Sequence, residues 1–512
     1  MNRSILTILL LCATLVVVAQ SGKNTLTQQW GVYELVLSGP SSGNPFMEVN
    51  IDATFKSGNH SIKVPGFYDG GGTYRVRFSP PSQGRWTYET TSNVSALSAK
   101  KGSFRSAAPT GSNHGPVKIV NTHYLRYADG TPFYAVGTTA YQWTSVKQSV
   151  QAKTLETLSK APFNKIRMCV FPKHYQYGNE TQPWAYPFVR KDTINDLTQP
   201  NYEFFRNFDA RVAQLSDLGI QADVILFHPY DSWGYSRMGK EMNQKYVRYM
   251  IARLSAYRNV WWSLANEWDV PSIKTAIDWE GIGSLLQRED PHQRLRGIHN
   301  WYDSEDHFFD HNRPWVTHVS TQTAQFYNAI KWRRQYQKPL LFDEMRYEGD
   351  VKSSWGNMKG QEMASYFWMA GLSGGYPTHG DTFRNDADED TEVRWWAKGG
   401  TLMGESPERI RYFKSVMEQA PVTQMSPELL YPGDPKKLST NLYIFSKPGA
   451  YYLAYVAEVG QVIELNLPGT KDYTVEVLDT WTMKPLERSV TKPGLYTYKT
   501  TTPYTAVRMY VD

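Results

Sequence analysis

Residues 259–269 read NVWWSLANEWD, and residues 338–350 read KPLLFDEMRYEGD. Each is a short apolar run that stops on an acid, Glu267 after Asn266 in the first and Glu344 after Asp343 in the second. Runs of this kind read as strands buried in a parallel sheet. Further runs lie at 133–138, 164–171, 221–227, 295–299, 315–319 and 374–378. Helical periods fill most of the gaps, at 145–160, 204–218, 240–257, 273–288, 323–336, 360–372 and 407–420. Eight strands alternating with helices predict a single (β/α)8 barrel over residues 113–420. The fifth and sixth units are the least regular, because no helix is visible after 295–299. A doubly wound sheet is the alternative, but no Gly-rich strand-to-helix turn supports a nucleotide there.

The flanks are patterned differently. Between residues 24 and 110, strand-like segments at 30–38, 46–55, 74–78 and 85–91 are broken by Gly, Pro, Ser and Asn, with no helical period. This predicts an N-terminal β-sandwich. Gly70-Gly71-Gly72 reads as a hairpin or loop, since no helix follows to make it a phosphate cradle. Residues 421–512 return to strands, clearest at 441–445, 451–456 and 473–478, with Lys447-Pro448-Gly449-Ala450 as a hairpin connection. The fold class expected is α/β, a TIM barrel flanked by an N-terminal β-sandwich and a C-terminal β-sandwich domain. Residues 1–20, with Arg3 ahead of the apolar run 5–18, read as a signal peptide cut near Gln20. A secreted or periplasmic protein is expected. Cys12 follows Leu11 rather than a small residue, which makes lipoprotein anchoring the weaker reading. Cys169 lies in an apolar stretch and reads as a buried structural thiol.

Barrel geometry puts chemistry at the C-terminal ends of the strands, where the rim is open. Arg167 lies within the second strand, His228 follows the third, Asn266-Glu267 the fourth and His299-Asn300 the fifth. His318 falls on the sixth, Glu344 closes the seventh, and Tyr376 and His379 belong to the eighth. Two carboxyls on strand ends are the equipment of a glycosidase, which needs one as acid and one as base or nucleophile. Tyr141, Trp143, Trp184, Trp233, Trp301 and Trp355 fall in loops after strands and are candidate sugar-stacking residues. The long loop 172–202 is the expected specificity element.

Asn-Glu after strand four and Glu after strand seven resemble the pattern of clan A glycoside hydrolases, the retaining (β/α)8 enzymes. That resemblance implies Glu267 as general acid/base, Glu344 as nucleophile, and Asn266 as a donor to the sugar 2-hydroxyl. It also implies that Arg167, in Asn164-Lys165-Ile166-Arg167, holds the nucleophile ionised. Glu344 is therefore expected to have a low pKa, and Glu267 a raised one from its aromatic surroundings. His114-Gly115-Pro116-Val117 through Tyr127-Ala128-Asp129-Gly130-Thr131-Pro132-Phe133 is similar to the start of the barrel in bacterial glycosidase-like proteins with an N-terminal β-sandwich and a small C-terminal β-domain. Such relatives act on diverse plant and algal polysaccharides. The chain departs from the clan at strand eight, where Gly374-Gly375-Tyr376-Pro377-Thr378-His379 lacks the tryptophan that lies under the sugar. Trp368 and Trp395 are the nearest, and Tyr376 is the expected substitute.

Composition narrows the partners. Aromatic residues make up 14% of 512 residues, with 17 Trp and 34 Tyr, more than core packing usually requires. The net charge of +6 is dispersed rather than clustered, which disfavours nucleic acid. A carbohydrate substrate is expected, with no membrane span, no cofactor and no metal. The scattered histidines form no zinc signature, and the acidic segment 381–392 reads as a solvated loop rather than a calcium site. The oligomeric state is open. Two other classes remain: a carbohydrate-binding surface protein on a barrel without catalysis, and a barrel lyase or isomerase. Glu267 and Glu344 argue against the first, and the lack of a phosphate site or placed lysine against the second.

Overall fold

The computed structural model describes residues 25–174, 182–270, 274–386, 394–428 and 442–511. The predicted leader with Cys12, and residues 387–392 of the acidic segment, lie outside them. Eight parallel strands form the centre: β1 (Gly137–Thr139), β2 (Lys165–Cys169), β3 (Gln221–Phe227), β4 (Val260–Ala265), β5 (Arg296–Gly297), β6 (Val319–Gln322), β7 (Leu340–Glu344) and β8 (Gly375–His379). Hydrogen-bonded neighbours run from β5 through β4, β3, β2, β1, β8 and β7 to β6. A parallel bridge between His299 and Ser320 spans the remaining gap, so the sheet closes on itself. Every residue of β2, β3, β4, β7 and β8 is buried, on both faces of the sheet, as a parallel barrel requires.

Seven helices pack outside: α1 (Gln148–Lys160), α2 (Tyr202–Asp217), α3 (Lys240–Leu254), α4 (Ala276–Glu289), α5 (Ala329–Tyr336), α6 (Gly360–Leu372) and α7 (Ser406–Gln419). Helix α2 shows how sequence sets them. The Asn201 side chain accepts from the Glu203 and Phe204 amides, and the helix then buries Phe204, Phe205, Phe208, Val212 and Leu215 along one stripe.

Unit five departs from the regular pattern. No helix lies between β5 and β6, only the single turn Glu305–His307. The strand expected at 315–319 instead begins at Val319. Trp315 and Val316 are buried as loop, and the Trp315 ring fills the space that Gly283 of α4 leaves open. An apolar pair packed on a helix gives the same sequence signal as one paired in a sheet.

Both flanks are β-rich. The N-terminal domain is a seven-stranded sheet between Thr25 and Ala107 around Phe55, Phe78, Trp86 and Phe104. Part of the strand expected at 46–55 is instead the helical turn Pro45–Glu48, capped by Asn44. The C-terminal domain has a six-stranded and a two-stranded sheet, and Leu442–Lys447 and Tyr451–Val456 pair as the hairpin that Lys447–Ala450 predicted. A buried ionic cluster ties the N-terminal domain to the barrel. Arg253 Nη1 meets Asp69 at 2.9 Å, Arg253 Nη2 meets Asp209 at 2.5 Å, and Arg77 Nη1 meets the same Asp209 oxygen at 2.8 Å. Among the described residues, no helix is long and apolar enough to cross a membrane.

Candidate active site

Alternation along β2 turns both Lys165 and Arg167 into the barrel. Lys165 Nζ lies 2.8 Å from Asp223 on β3 and 2.6 Å from Asp343 on β7, and Ser320 donates to Asp343 at 2.5 Å. Burial opposes ionisation of Asp343, but Lys165 and Arg167 outweigh it and hold the carboxyl far below its ordinary range. This charged layer is the floor of the site.

Two consecutive residues on a strand should face opposite ways, yet Asp343 and Glu344 both face inward. In the ladder with β6, Thr321 lies opposite Phe342 and Gln322 opposite Glu344, so Asp343 is the extra residue of a bulge that re-aims its neighbour. The Glu344 carboxylate accepts from Tyr141 Oη and from Arg167 Nη1, the latter at 3.1 Å. Because Ser320 gives its one proton to Asp343, it accepts from His299 Nδ1 at 3.2 Å. His299 Nε2 is then left bare, 3.4 Å from Glu344 Oε1.

Glu267 reaches the site by another device. It follows β4 with φ at +57°, a left-handed conformation that a non-glycine residue adopts only under constraint. Asn266 faces inward beside it, and its Oδ1 accepts from Arg167 Nη2 at 2.9 Å. Asn266 Nδ2 and Glu267 Oε2 are buried with no hydrogen-bond partner among the described residues. Burial raises the Glu267 carboxyl, while Lys173, the Tyr230 hydroxyl and Arg167 pull it down. Burial also pushes Glu344 up, to about 8, against the hydrogen bond from Tyr347. The expected split into one low and one high carboxyl is corrected: the same desolvation raises both.

Glu267 and Glu344 open into one cavity of about 720 Å³, a size suited to small ligands. Its walls include Tyr141, Tyr230, Trp301, Tyr347, Trp355 and Trp396. Lys173 Nζ sits 3.8 Å from the Tyr141 ring centre and 4.8 Å from that of Tyr230. Arg346, with φ at +77°, adds an exposed cation to the wall.

Arg167, Asn266, Glu267, His299 and Glu344 thus come together, and Trp301 lines the mouth. The other expected ligands lie elsewhere. His228 sits beneath Glu267 beside a small crevice, its Nε2 donating to the Phe171 carbonyl at 3.2 Å. His318 precedes β6 and packs beside Trp261 in the barrel interior. Tyr376 lies at the opposite end of the barrel, where its hydroxyl accepts from the Leu125 amide at 2.9 Å. His379 stacks on Phe163 outside the cavity, and Trp143 is fully buried in the core. Trp184 is half-buried with its ring N–H on the Thr144 carbonyl, whereas Trp355 does line the cavity.

No tryptophan closes β8, but Trp396, on the short helix Trp395–Lys398, lines the cavity. Its ring lies 5.2 Å from Trp355 and 6.0 Å from Tyr347. Lys173, Tyr230, Tyr347 and Trp396 were not anticipated. Tyr347 stands three residues past Glu344, within reach of a strand-end reading, but nothing local marks Trp396. Among the described residues, no group of three or more His, Cys, Asp or Glu side chains could hold a metal ion.

Residues 120–424 match the family model for the apiosidase-like catalytic domain, and residues 26–93 match a domain of unknown function, DUF5060. No curated protein matches the chain. Among solved structures, a "putative glycoside hydrolase" from Bacteroides vulgatus ATCC 8482 is 33% identical, with a TM-score of 0.86 over 96% of this chain and 100% of its own. A family 5 glycoside hydrolase from the same strain shares the fold at 14% identity, with a TM-score of 0.61 over 78% of this chain and 94% of its own. A cavity built around two strand-end glutamates, on a barrel matched along its whole length, makes the chain a glycoside hydrolase that belongs to the apiosidase-like family.

Proposed function

We propose that the enzyme is a retaining glycosidase working by double displacement, with Glu344 as nucleophile and Glu267 as general acid and then base. One observation carries this reading: two buried glutamates at the ends of β4 and β7 share an aromatic-walled cavity, and Glu344 is the one paired with a fixed guanidinium. Burial raises both carboxyls, Glu344 to about 8. Ionisation of Glu344, favoured by the Arg167 guanidinium beside it, therefore gates the reaction, and the reactive form carries the charge on Glu344 and the proton on Glu267. In the first step Glu344 attacks the anomeric carbon while Glu267 protonates the departing oxygen. In the second, Glu267 takes a proton from water as that water displaces Glu344. Asn266 Nδ2 is available to the sugar 2-hydroxyl, and Trp396 and Trp355 offer apolar faces to the ring.

The substrate class is a plant or algal glycan, and the family description puts apiosyl linkages first. Export through the leader at residues 1–20 agrees with that diet. The β-rich flanks are read as sandwiches that brace the barrel. The test is hydrolysis of 4-nitrophenyl glycosides, including the apiofuranoside, and of plant and algal polysaccharides, by wild type, Glu267→Ala and Glu344→Ala. Proton NMR of the first product then reports its anomeric configuration. Retained configuration, abolished in both folded variants, supports the mechanism, and an inverted first product overturns it. Silence across the panel with glycan binding intact favours a binding protein on this scaffold.

A further inference from the structure

Trp396 reaches the cavity although it stands 17 residues beyond the end of β8, and the structure shows what brings it there. Asp381 is fully buried just past that strand. Its Oδ1 accepts from the Phe383 amide at 2.9 Å, and its Oδ2 accepts from the amides of Met403 and Gly404, each at 2.7 Å. Its own carbonyl accepts from the Trp396 amide at 2.8 Å. The Trp396 carbonyl in turn accepts from the Tyr141 amide at 3.1 Å, and that of Ala397 from Gln142 at 2.9 Å. One residue therefore fixes both the Trp396 turn and the later stretch 403–404.

A second buried carboxylate reinforces the clamp. Glu348, four residues past Glu344, accepts from the Glu405 amide at 2.7 Å and the Ser406 amide at 3.2 Å, at the start of α7. His379 Nε2 lies 3.9 Å from it. The backbones close so tightly that a side chain at Gly404 would strike the Glu348 carboxylate, and one at Gly380 the Tyr347 ring. Burial raises the Asp381 carboxyl to about 6, while His379 and the three amides favour its charged form. Burying two acids is an expensive way to hold a loop that only needs to be compact. Amides converging on a carboxylate specify one geometry, which apolar packing would not.

We infer that Asp381 is a positioning residue: its carboxylate anchors the far end of the segment 394–404 at Met403 and Gly404 and thereby seats its own carbonyl under the Trp396 amide, so that Trp396 forms a wall of the sugar cavity beside Glu344. The inference rests on the glycosidase reading for its effect on substrate, but not for the clamp itself. Asp381→Asn is the decisive variant. It keeps the size of the side chain while turning one acceptor oxygen into a donor that opposes an amide.

Hydrogen–deuterium exchange on the full-length protein, without ligand, reads the clamp. Exchange in peptides covering 394–406 rises about 10-fold or more in Asp381→Asn, while β4 and β7 peptides are unchanged. On a 4-nitrophenyl glycoside that wild type cleaves, KM rises about 10-fold with kcat within about 3-fold, as in Trp396→Ala. The double variant is no worse than either single one. Unchanged exchange at 394–406, a rise spread over the whole barrel, or additive effects with Trp396→Ala would each overturn the inference. If Asp381→Ala fails to fold, Asp381→Asn still decides. If wild type cleaves none of the glycosides, the glycosidase reading fails while exchange alone judges the clamp.

Discussion

Arg167 Nη1 stands 3.1 Å from Glu344 Oε1, and both side chains are buried. Removing the guanidinium leaves a desolvated acid with no fixed cation to favour its charge. Arg167→Met therefore lowers kcat/KM about 10³-fold and moves the acid limb of its pH profile upward. Arg167→Lys keeps the charge but not the fork to Asn266, and loses about 10–100-fold. An unmoved acid limb in Arg167→Met would detach Arg167 from the ionisation of Glu344.

Lys173 acts on the other carboxyl. Its charge pulls Glu267 down against burial, so Lys173→Met raises the Glu267 pKa and carries the alkaline limb of kcat/KM upward by about one pH unit. The profile of kcat/KM against pH, measured beside Glu267→Gln, checks the assignment.

Burial raises the Glu344 carboxyl to about 8 in the free enzyme. A raised folded-state pKa means that the native form holds the proton more tightly than the unfolded chain. The resulting stability is full below the ordinary carboxyl range and is lost as pH rises through about 8. The thermal midpoint of wild type therefore falls over that window, and Glu344→Gln flattens the fall. Parallel curves for the two proteins would contradict the shift.

Trp301 and Trp143 carry the same side chain into opposite roles. Trp301 is 42% exposed at the mouth and Trp143 is fully buried in the core. Trp301→Ala changes stability by less than about 0.5 kcal/mol but raises KM about 10-fold. Trp143→Ala costs about 3–5 kcal/mol. Denaturant melts with steady-state kinetics on both variants separate the two.

Arg253→Met removes the cation shared by Asp69 and Asp209 at the seam with the N-terminal domain, leaving Asp69 to Arg75 at 2.8 Å and Asp209 to Arg77 at 2.8 Å. Losing charge-assisted hydrogen bonds while those partners remain costs about 1.5–3 kcal/mol, so the variant unfolds at lower denaturant concentration. A variant as stable as wild type would show that the seam is held by its apolar contacts alone.

The barrel was legible because buried strands ending on acids are strong local signals. Glu267 and Glu344 could be picked from NVWWSLANEWD and KPLLFDEMRYEGD, and Arg167 from its resemblance to the second-strand arginine of clan A enzymes. His318 and Tyr376 were misplaced because a polar residue on a strand does not reveal which end of the barrel it serves. His318 fell one residue short of β6, and Tyr376 lies near the start of β8 rather than its end. Trp143 follows a strand end as a sugar-stacking residue would, but its loop folds back into the core. Trp396 escapes because its position depends on its amide donating to the Asp381 carbonyl and its carbonyl accepting from the Tyr141 amide, which no local pattern encodes. The raised pKa of Glu344 escaped for a similar reason, since desolvation is a property of the closed cavity and not of any neighbour in the chain.

The fifth unit returns from rim to base without a helix. Elsewhere in the barrel, a helix fixes how many residues the return takes, and adding or removing one would rotate its buried stripe away from the sheet. Between β5 and β6 the chain is tied instead at discrete points, by Trp315 against α4 and by Trp301 through its amide to Asp269 at 2.5 Å. Phe309 against Trp268 and His311 against Tyr336 are further anchors, and between them length can change at exposed stretches such as 312–314 with little disturbance to the barrel. This is the segment where a descendant of the enzyme can gain or lose residues most freely, and so where new sugars can be accommodated while the catalytic pair stays in place.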